Sequence, residues 1–202
     1  KALLSETYYQ PAIRSVEEED WESAQSLLTQ LVSIDEQYKD SAIQLRLSYY
    51  RPALQAYQAG KWDLAMPLLE QLAMIDEDYE DAIELLKESY YQQAIKSLEQ
   101  GEWSMARSLL AKLAMINGDY KIEGVPEVVD IQVAERLVKA GSGYKDSGSM
   151  LIESYLREAM TAVTEKDWTS AASAIVILDQ LSPNNGSVAQ MIAENHDLGA
   201  AI

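Results

Sequence analysis

Residues 79–116 read YEDAIELLKESYYQQAIKSLEQGEWSMARSLLAKLAMI. Leu86, Tyr90, Ala94 and Leu98 step by four along one stripe, and Trp103, Ala106, Leu109-Leu110 and Leu113 step by three or four along another. At 3.6 residues per turn such steps line one face of a helix, so the stretch predicts two helices in succession. Gly101 falls between them, where glycine takes the left-handed conformation that ends a helix. The unit is a helix-turn-helix whose helices run to about 20 and about 14 residues, roughly 30 Å and 20 Å.

The same residues recur on either side. Tyrosine pairs at Tyr8-Tyr9, Tyr49-Tyr50 and Tyr90-Tyr91 are spaced by 41, and so are Trp21, Trp62 and Trp103, Tyr38, Tyr79 and Tyr120, and Ala12, Ala53 and Ala94. A fourth copy, carrying Tyr144, Tyr155, Ala159 and Trp168, arrives 24 residues late. A fixed period in four residue types is the mark of a repeat architecture. The repeats cover about 1–37, 38–78, 79–119 and 144–184, with an insertion at about 118–143. Within the insertion, Val125-Pro126-Glu127 has the form of a helix start, and Val128, Ile131, Ala134 and Leu137-Val138 make an apolar face that ends at Gly141-Ser142-Gly143. Residues 187–202 align with the opening of another first helix, His196 standing where Tyr90 stands, and read as a capping helix. Lys1 falls inside the first helix of copy one, so the chain is expected to be a fragment of a longer protein.

Gly60-Lys61-Trp62 with Ala65, Gly101-Glu102-Trp103 with Ala106, and Asp167-Trp168 with Ala171 before Leu181-Ser182-Pro183 resemble the second helix of a tetratricopeptide repeat. The resemblance covers nearly the whole chain outside the insertion. It implies an all-α fold, a right-handed α–α superhelix (solenoid) of three to four helix-turn-helix repeats with one helical insertion. The period departs from the family's 34, giving the first helix about two extra turns. Pro11, Pro52 and Gln93 stand where the family puts bulky apolar groups. Armadillo or HEAT repeats have a closer period and lack the tryptophan–alanine arrangement.

Core and surface follow from the register. Trp21, Trp62, Trp103 and Trp168 are expected to fill the junction between the helices of their own units, beside the small residues Ala24, Ala65, Ala106 and Ala171, where the helices approach closest. Tyr8, Tyr49, Tyr90 and Tyr155 share a buried stripe with Ala12, Ala53, Ala94 and Ala159. Tyr9, Tyr50 and Tyr91 lie about 100° around the helix. The resemblance places those positions on a concave groove, completed by Leu54, Ile95, Leu156 and Met160, and suited to a peptide. The alternative is that they pack against the first helix of the next unit. Pro11 and Pro52 each remove a helix hydrogen bond and are expected to kink their helices. Asp20 and Asp167 are placed to cap second helices. Copies one and four have Glu19 and Lys166 in place of the turn glycine, so those two turns are expected to close differently. The acidic run Asp76–Asp81 lacks the glycine and terminal glutamate of a calcium loop and reads as a loop that caps the following helix.

Sixteen basic against 33 acidic residues give a net charge of −17. Such a surface repels phosphate backbones, which argues against nucleic acid, and attracts basic proteins or peptides at long range. No apolar run is long enough for direct membrane insertion. With one histidine, no cysteine, no phosphate loop and no nucleophile motif, no catalytic residue, metal ligand or cofactor site is assigned. The expected function is a non-catalytic protein- or peptide-binding scaffold within a larger protein. A structural or oligomerisation arm and a small-ligand or glycan-binding groove are the alternatives.

Overall fold

The structure, a computed structural model, describes residues 2–117 and 144–202. Its elements are α1 (Ala2–Glu17), α2 (Trp21–Ile34), α3 (Ser41–Gln58), α4 (Trp62–Ile75), α5 (Ala82–Glu99), α6 (Trp103–Asn117), α7 (Ser147–Glu165), α8 (Trp168–Leu181), α9 (Gly186–Glu194) and α10 (His196–Ala201). Among the described residues there is no strand. The helix expected over Val125–Val138 lies outside them. The C-terminal segment read as one capping helix is two, divided at Asn195, whose extended backbone (φ −129°, ψ 93°) cannot continue a helix.

The chain divides into two compact units, Lys1–Ser89 and Tyr90–Ile202, the boundary falling within α5. In the first, α1 packs on α2, α2 on α3 and α3 on α4, with α1 also reaching α3. Its interior is built from Ala12, Ala24, Leu28, Leu31, Ala53, Ala65, Leu69 and Leu72, all fully buried. In the second, α6 packs on α7 and α7 on α8, while α9 and α10 close over α7 and α8 and bury Val188 and Leu198. Consecutive packing of helix pairs, the arrangement of a helical repeat, thus recurs within each unit. The helices run unbroken through Pro11, Pro52 and Pro67.

The alanines explain how closely the helices approach. Ala24, Ala65, Ala106 and Ala171 are each 0% exposed, as are Ala12, Ala53, Ala94 and Ala159 on the opposing helices. The tryptophans sit nearer the edge and are half-buried. A Cβ on Gly101 would stand 3.6 Å from Cζ2 of Trp103, and one on Gly60 3.9 Å from Cζ2 of Trp62, so each indole lies over its own turn.

Those turns correct one expectation. Glu19 (φ 57°) and Lys166 (φ 61°) adopt the same left-handed backbone as Gly60 (φ 67°) and Gly101 (φ 75°). All four make the same paired bonds: Asp20, Lys61, Glu102 and Asp167 each donate N–H to the carbonyl five residues back, at 2.8–2.9 Å. The bonds satisfy carbonyls at the end of the first helix, and closing this turn outweighs the steric cost of a side chain at positive φ. Glu19→Gly and Lys166→Gly are therefore each expected to raise stability, by about 0.5–1 kcal/mol, because they remove that cost. Thermal melts of the two variants read this directly, and a loss of stability in both would count against the strain. At the start of the second helices, Asp20 and Asp167 accept from the amides of Ser23 (3.3 Å) and Ser170 (3.1 Å), as their positions predict.

Candidate functional site

The second tyrosine of each pair carries a recurring contact. Tyr9 donates its hydroxyl to Asp40 Oδ1 at 2.7 Å, Tyr50 to Asp81 Oδ1 at 2.6 Å and Tyr91 to Asp146 Oδ1 at 2.6 Å. The acceptor stands at the start of the following first helix: 31 residues on in the first two cases, 55 in the third, which spans the insertion. Each tyrosine also meets a second tyrosine edge to face. Tyr9 meets Tyr38 at 5.8 Å between ring centroids, Tyr50 meets Tyr79 at 5.5 Å and Tyr91 meets Tyr144 at 5.8 Å. Hydroxyl, carboxylate and two rings thus tie α1, α3 and α5 each to the loop that opens the next first helix.

The loop is shaped for this. Tyr38 and Tyr79 donate N–H to the carbonyls of Asp35 and Asp76, and Ser41, Ala82 and Ser147 donate to the carbonyls of Tyr38, Tyr79 and Tyr144. Between them Lys39, Glu80 and Lys145 take positive φ of 49°, 47° and 51°. Asp40 and Asp146 occupy the N-cap position without capping through their side chains, because their carboxylates are engaged by the tyrosines. Asp76 ends α4 and pairs with Arg46 at 3.3 Å. Among the described residues no group of three His, Cys, Asp or Glu side chains is arranged to hold a metal ion, and no helix is long and apolar enough to cross a membrane.

No protein-family model matches this chain. Comparison with curated proteins finds no match either. The residues alone carry the functional reading.

Lys39 lies 4.2 Å above the Tyr9 ring and 5.2 Å from that of Tyr38, and Lys145 lies 4.5 Å above Tyr91 and 5.3 Å from Tyr144. At the same place in the middle loop stands Glu80, exposed, beside Tyr50 and Tyr79. Two arginines act on Tyr79 there: Arg46, 5.9 Å from its ring, and Arg51. At the first loop, Glu6 of α1 accepts from Tyr38, Lys39 and Gln10. Those bonds, with Lys39 foremost, hold its carboxyl at about 2.

The remaining groove candidates are Leu54, Ile95 and Leu156, half-buried, and Met160, exposed. Tyr90 and Tyr155 are buried, and Tyr8 and Tyr49 half-buried. Sequence reasoning singled out Tyr38, Tyr79 and Tyr144 only as period markers and did not pair them with the second tyrosines. Asp40, Asp81 and Asp146 went unremarked as partners, although they keep the same spacing.

The hydrogen-bonded hydroxyls give a pH signature. Tyr9 is pushed up to about 12, chiefly by donating to Asp40, and Tyr50 to about 12 by burial and then by Asp81. A raised folded value means that the contribution is whole below the ordinary 10.0 and is lost as pH climbs from 10 to 12. Tyr38, Tyr79 and Tyr155 are raised as well, so ultraviolet titration should show several tyrosinates forming late, and Tyr9→Phe with Tyr50→Phe should reduce that late fraction and the loss of stability across the window. Tyrosines that all ionise together near 10 would refute the hydrogen bonds.

Proposed function

We propose that this chain is a non-catalytic scaffold of tetratricopeptide-like repeats that binds basic protein or peptide segments. The observation that carries this is the middle loop. There the Tyr50–Tyr79 pair keeps the geometry of its counterparts, while the lysine that covers those counterparts is replaced by the acid Glu80. An aromatic pair beside a free carboxylate attracts a cationic side chain, and a net charge of −17 draws one in from a distance. Apolar anchors are available in the same unit. Ile43, Leu64, Met74 and Ile75 are exposed there, and Met105, one period after Leu64, repeats that exposure in the second unit. Exposed leucine and methionine on an otherwise acidic surface are the usual contacts of a peptide-binding protein.

The test is a fluorescein-labelled lysine–leucine amphipathic peptide titrated into the full chain at low and high salt. Binding should weaken with salt, and Glu80→Lys, which supplies the cation internally, should weaken it about tenfold. Lys39 and Lys145 already adopt this backbone, so the variant should keep its melting temperature. Undiminished binding by Glu80→Lys would remove the middle loop as the site. Self-association on sedimentation, with no peptide binding, would favour an oligomerisation arm instead.

A further inference from the structure

The tyrosine junctions do not all carry the same side chains, and the middle one differs at three places at once. At the first, Glu6 gathers three donors: Gln10 Nε2 at 2.8 Å, Lys39 Nζ at 2.7 Å and the Tyr38 hydroxyl. The third copy keeps the same residue types at the matching positions, Glu88, Gln92, Lys145 and Tyr144. In the middle the tyrosine is kept as Tyr79. Leucine (Leu47) stands there for the glutamate, Arg51 for the glutamine and Glu80 for the lysine.

The result is a ring of polar groups around an apolar centre. Leu47, half-buried on α3 one turn before Tyr50, cannot accept a hydrogen bond. Arg51 and Glu80 are exposed, and among the described residues neither side chain has an ion pair or hydrogen bond, nor does any group accept from the Tyr79 hydroxyl. Arg46 already pairs with Asp76 at 3.3 Å. All these groups lie close enough to act on Tyr79: burial and then Glu80 raise its hydroxyl, while Arg46 and Arg51 pull it down. What the middle junction lacks is a carboxylate for Arg51 and Tyr79 and a cation for Glu80.

The gap is internal to the chain, with further repeats on both sides of it. At the first junction the hub comes from the helix itself, as Glu6. In the middle that position is taken by Leu47, so the repeat has no place from which to supply the carboxylate, and another molecule has to bring it.

We propose that the middle junction recognises a glutamate–lysine pair, four residues apart on a helical segment of a partner protein. The glutamate lies over Leu47 and accepts from Arg51 and the Tyr79 hydroxyl, and the lysine enters between Glu80 and the Tyr50 ring. The pair reproduces Glu6 and Lys39, which meet at 2.7 Å with Lys39 standing 4.2 Å above the Tyr9 ring. Glutamate ahead of lysine by four is the order that such a pair favours on a helix. The proposal rests on the scaffold reading and narrows it: the basic segment carries a carboxylate beside its cation.

The probes are two versions of the labelled lysine–leucine peptide, with glutamine or glutamate four residues before a central lysine. A net charge of −17 repels the glutamate version at long range, so any gain it shows has to come from donors at the site. It should bind the full chain about threefold more tightly than the glutamine version. Leu47→Glu supplies the acceptor internally, as Glu6 does, and should reverse that order. Arg51→Gln and Tyr79→Phe each remove a donor, the second keeping the ring pair, and each should reduce the gain. Equal binding of both peptides by the wild-type chain would overturn the proposal and leave the scaffold reading standing, as would a gain that survives Leu47→Glu. Binding of neither up to about 1 mM, far weaker than typical recognition, would overturn both. A lower melting temperature for Arg51→Gln without peptide would mean that the chain itself supplies the carboxylate, and would overturn a partner.

Discussion

Leu28→Ala is expected to destabilise the Lys1–Ser89 unit by about 2–5 kcal/mol. Leu28 is fully buried in a cluster with Ala12, Ala24 and Leu45, against which Val16, Leu27, Val32 and Tyr49 pack. These residues come from α1, α2 and α3, so one side chain holds a repeat together and joins it to the next. Ala12 and Ala24 are already minimal in size and cannot close over the space, which puts the cost in the upper part of the range. Against a total of about 5–15 kcal/mol for a domain, such a loss is large. Urea unfolding followed by circular dichroism measures it, and a loss below about 1 kcal/mol would show that the three helices do not share a packed core.

Trp62→Ala should cost about 3 kcal/mol, the lower end for a tryptophan truncation, because the ring is half-buried. Its two contacts differ in kind. One edge lies over the turn at Gly60, and the ring meets Tyr57 in a T-shaped contact at 5.1 Å and 74°. Trp62→Phe keeps an aromatic partner for Tyr57 and gives up reach over the turn, so it should recover part of the loss. Equal destabilisation by both substitutions would place the whole effect at the turn, and none by either would make the indole a surface residue.

The helix pairs were readable because every repeat lays its apolar residues on stripes three or four apart, and a 41-residue period leaves no freedom in where each helix begins. The alanines were readable for the same reason. The depth of the tryptophans was not, since spacing locates a residue on a helix face and says nothing of how far along the contact it sits. At Glu19 and Lys166 residue type misled, because the turn is imposed by its hydrogen bonds and glycine only relieves it. The second tyrosines had two readings in the sequence. The contacts with Asp40, Asp81 and Asp146 favour packing on the next repeat for their hydroxyls, and those acceptors lie a whole helix and loop away, beyond the reach of local pattern. The insertion made the third pair hardest to see.

Pro52 has no N–H, and the Ser48 carbonyl takes a donor from Gln25 Nε2 of α2 at 2.9 Å. At the matching place between α6 and α7, Arg107 donates to Glu158 at 2.8 Å, and these residues also act on how the molecule assembles. Repeats of nearly equal sequence are prone to trade neighbours while folding. If α6 took the seat of α2, Arg107 would face Pro52 with no carboxylate to receive it; if α2 took the seat of α6, Gln25 would face Glu158 and leave its charge unanswered. These two junctions are thereby keyed against each other, one by an amide that serves a carbonyl left without its donor and the other by an ion pair.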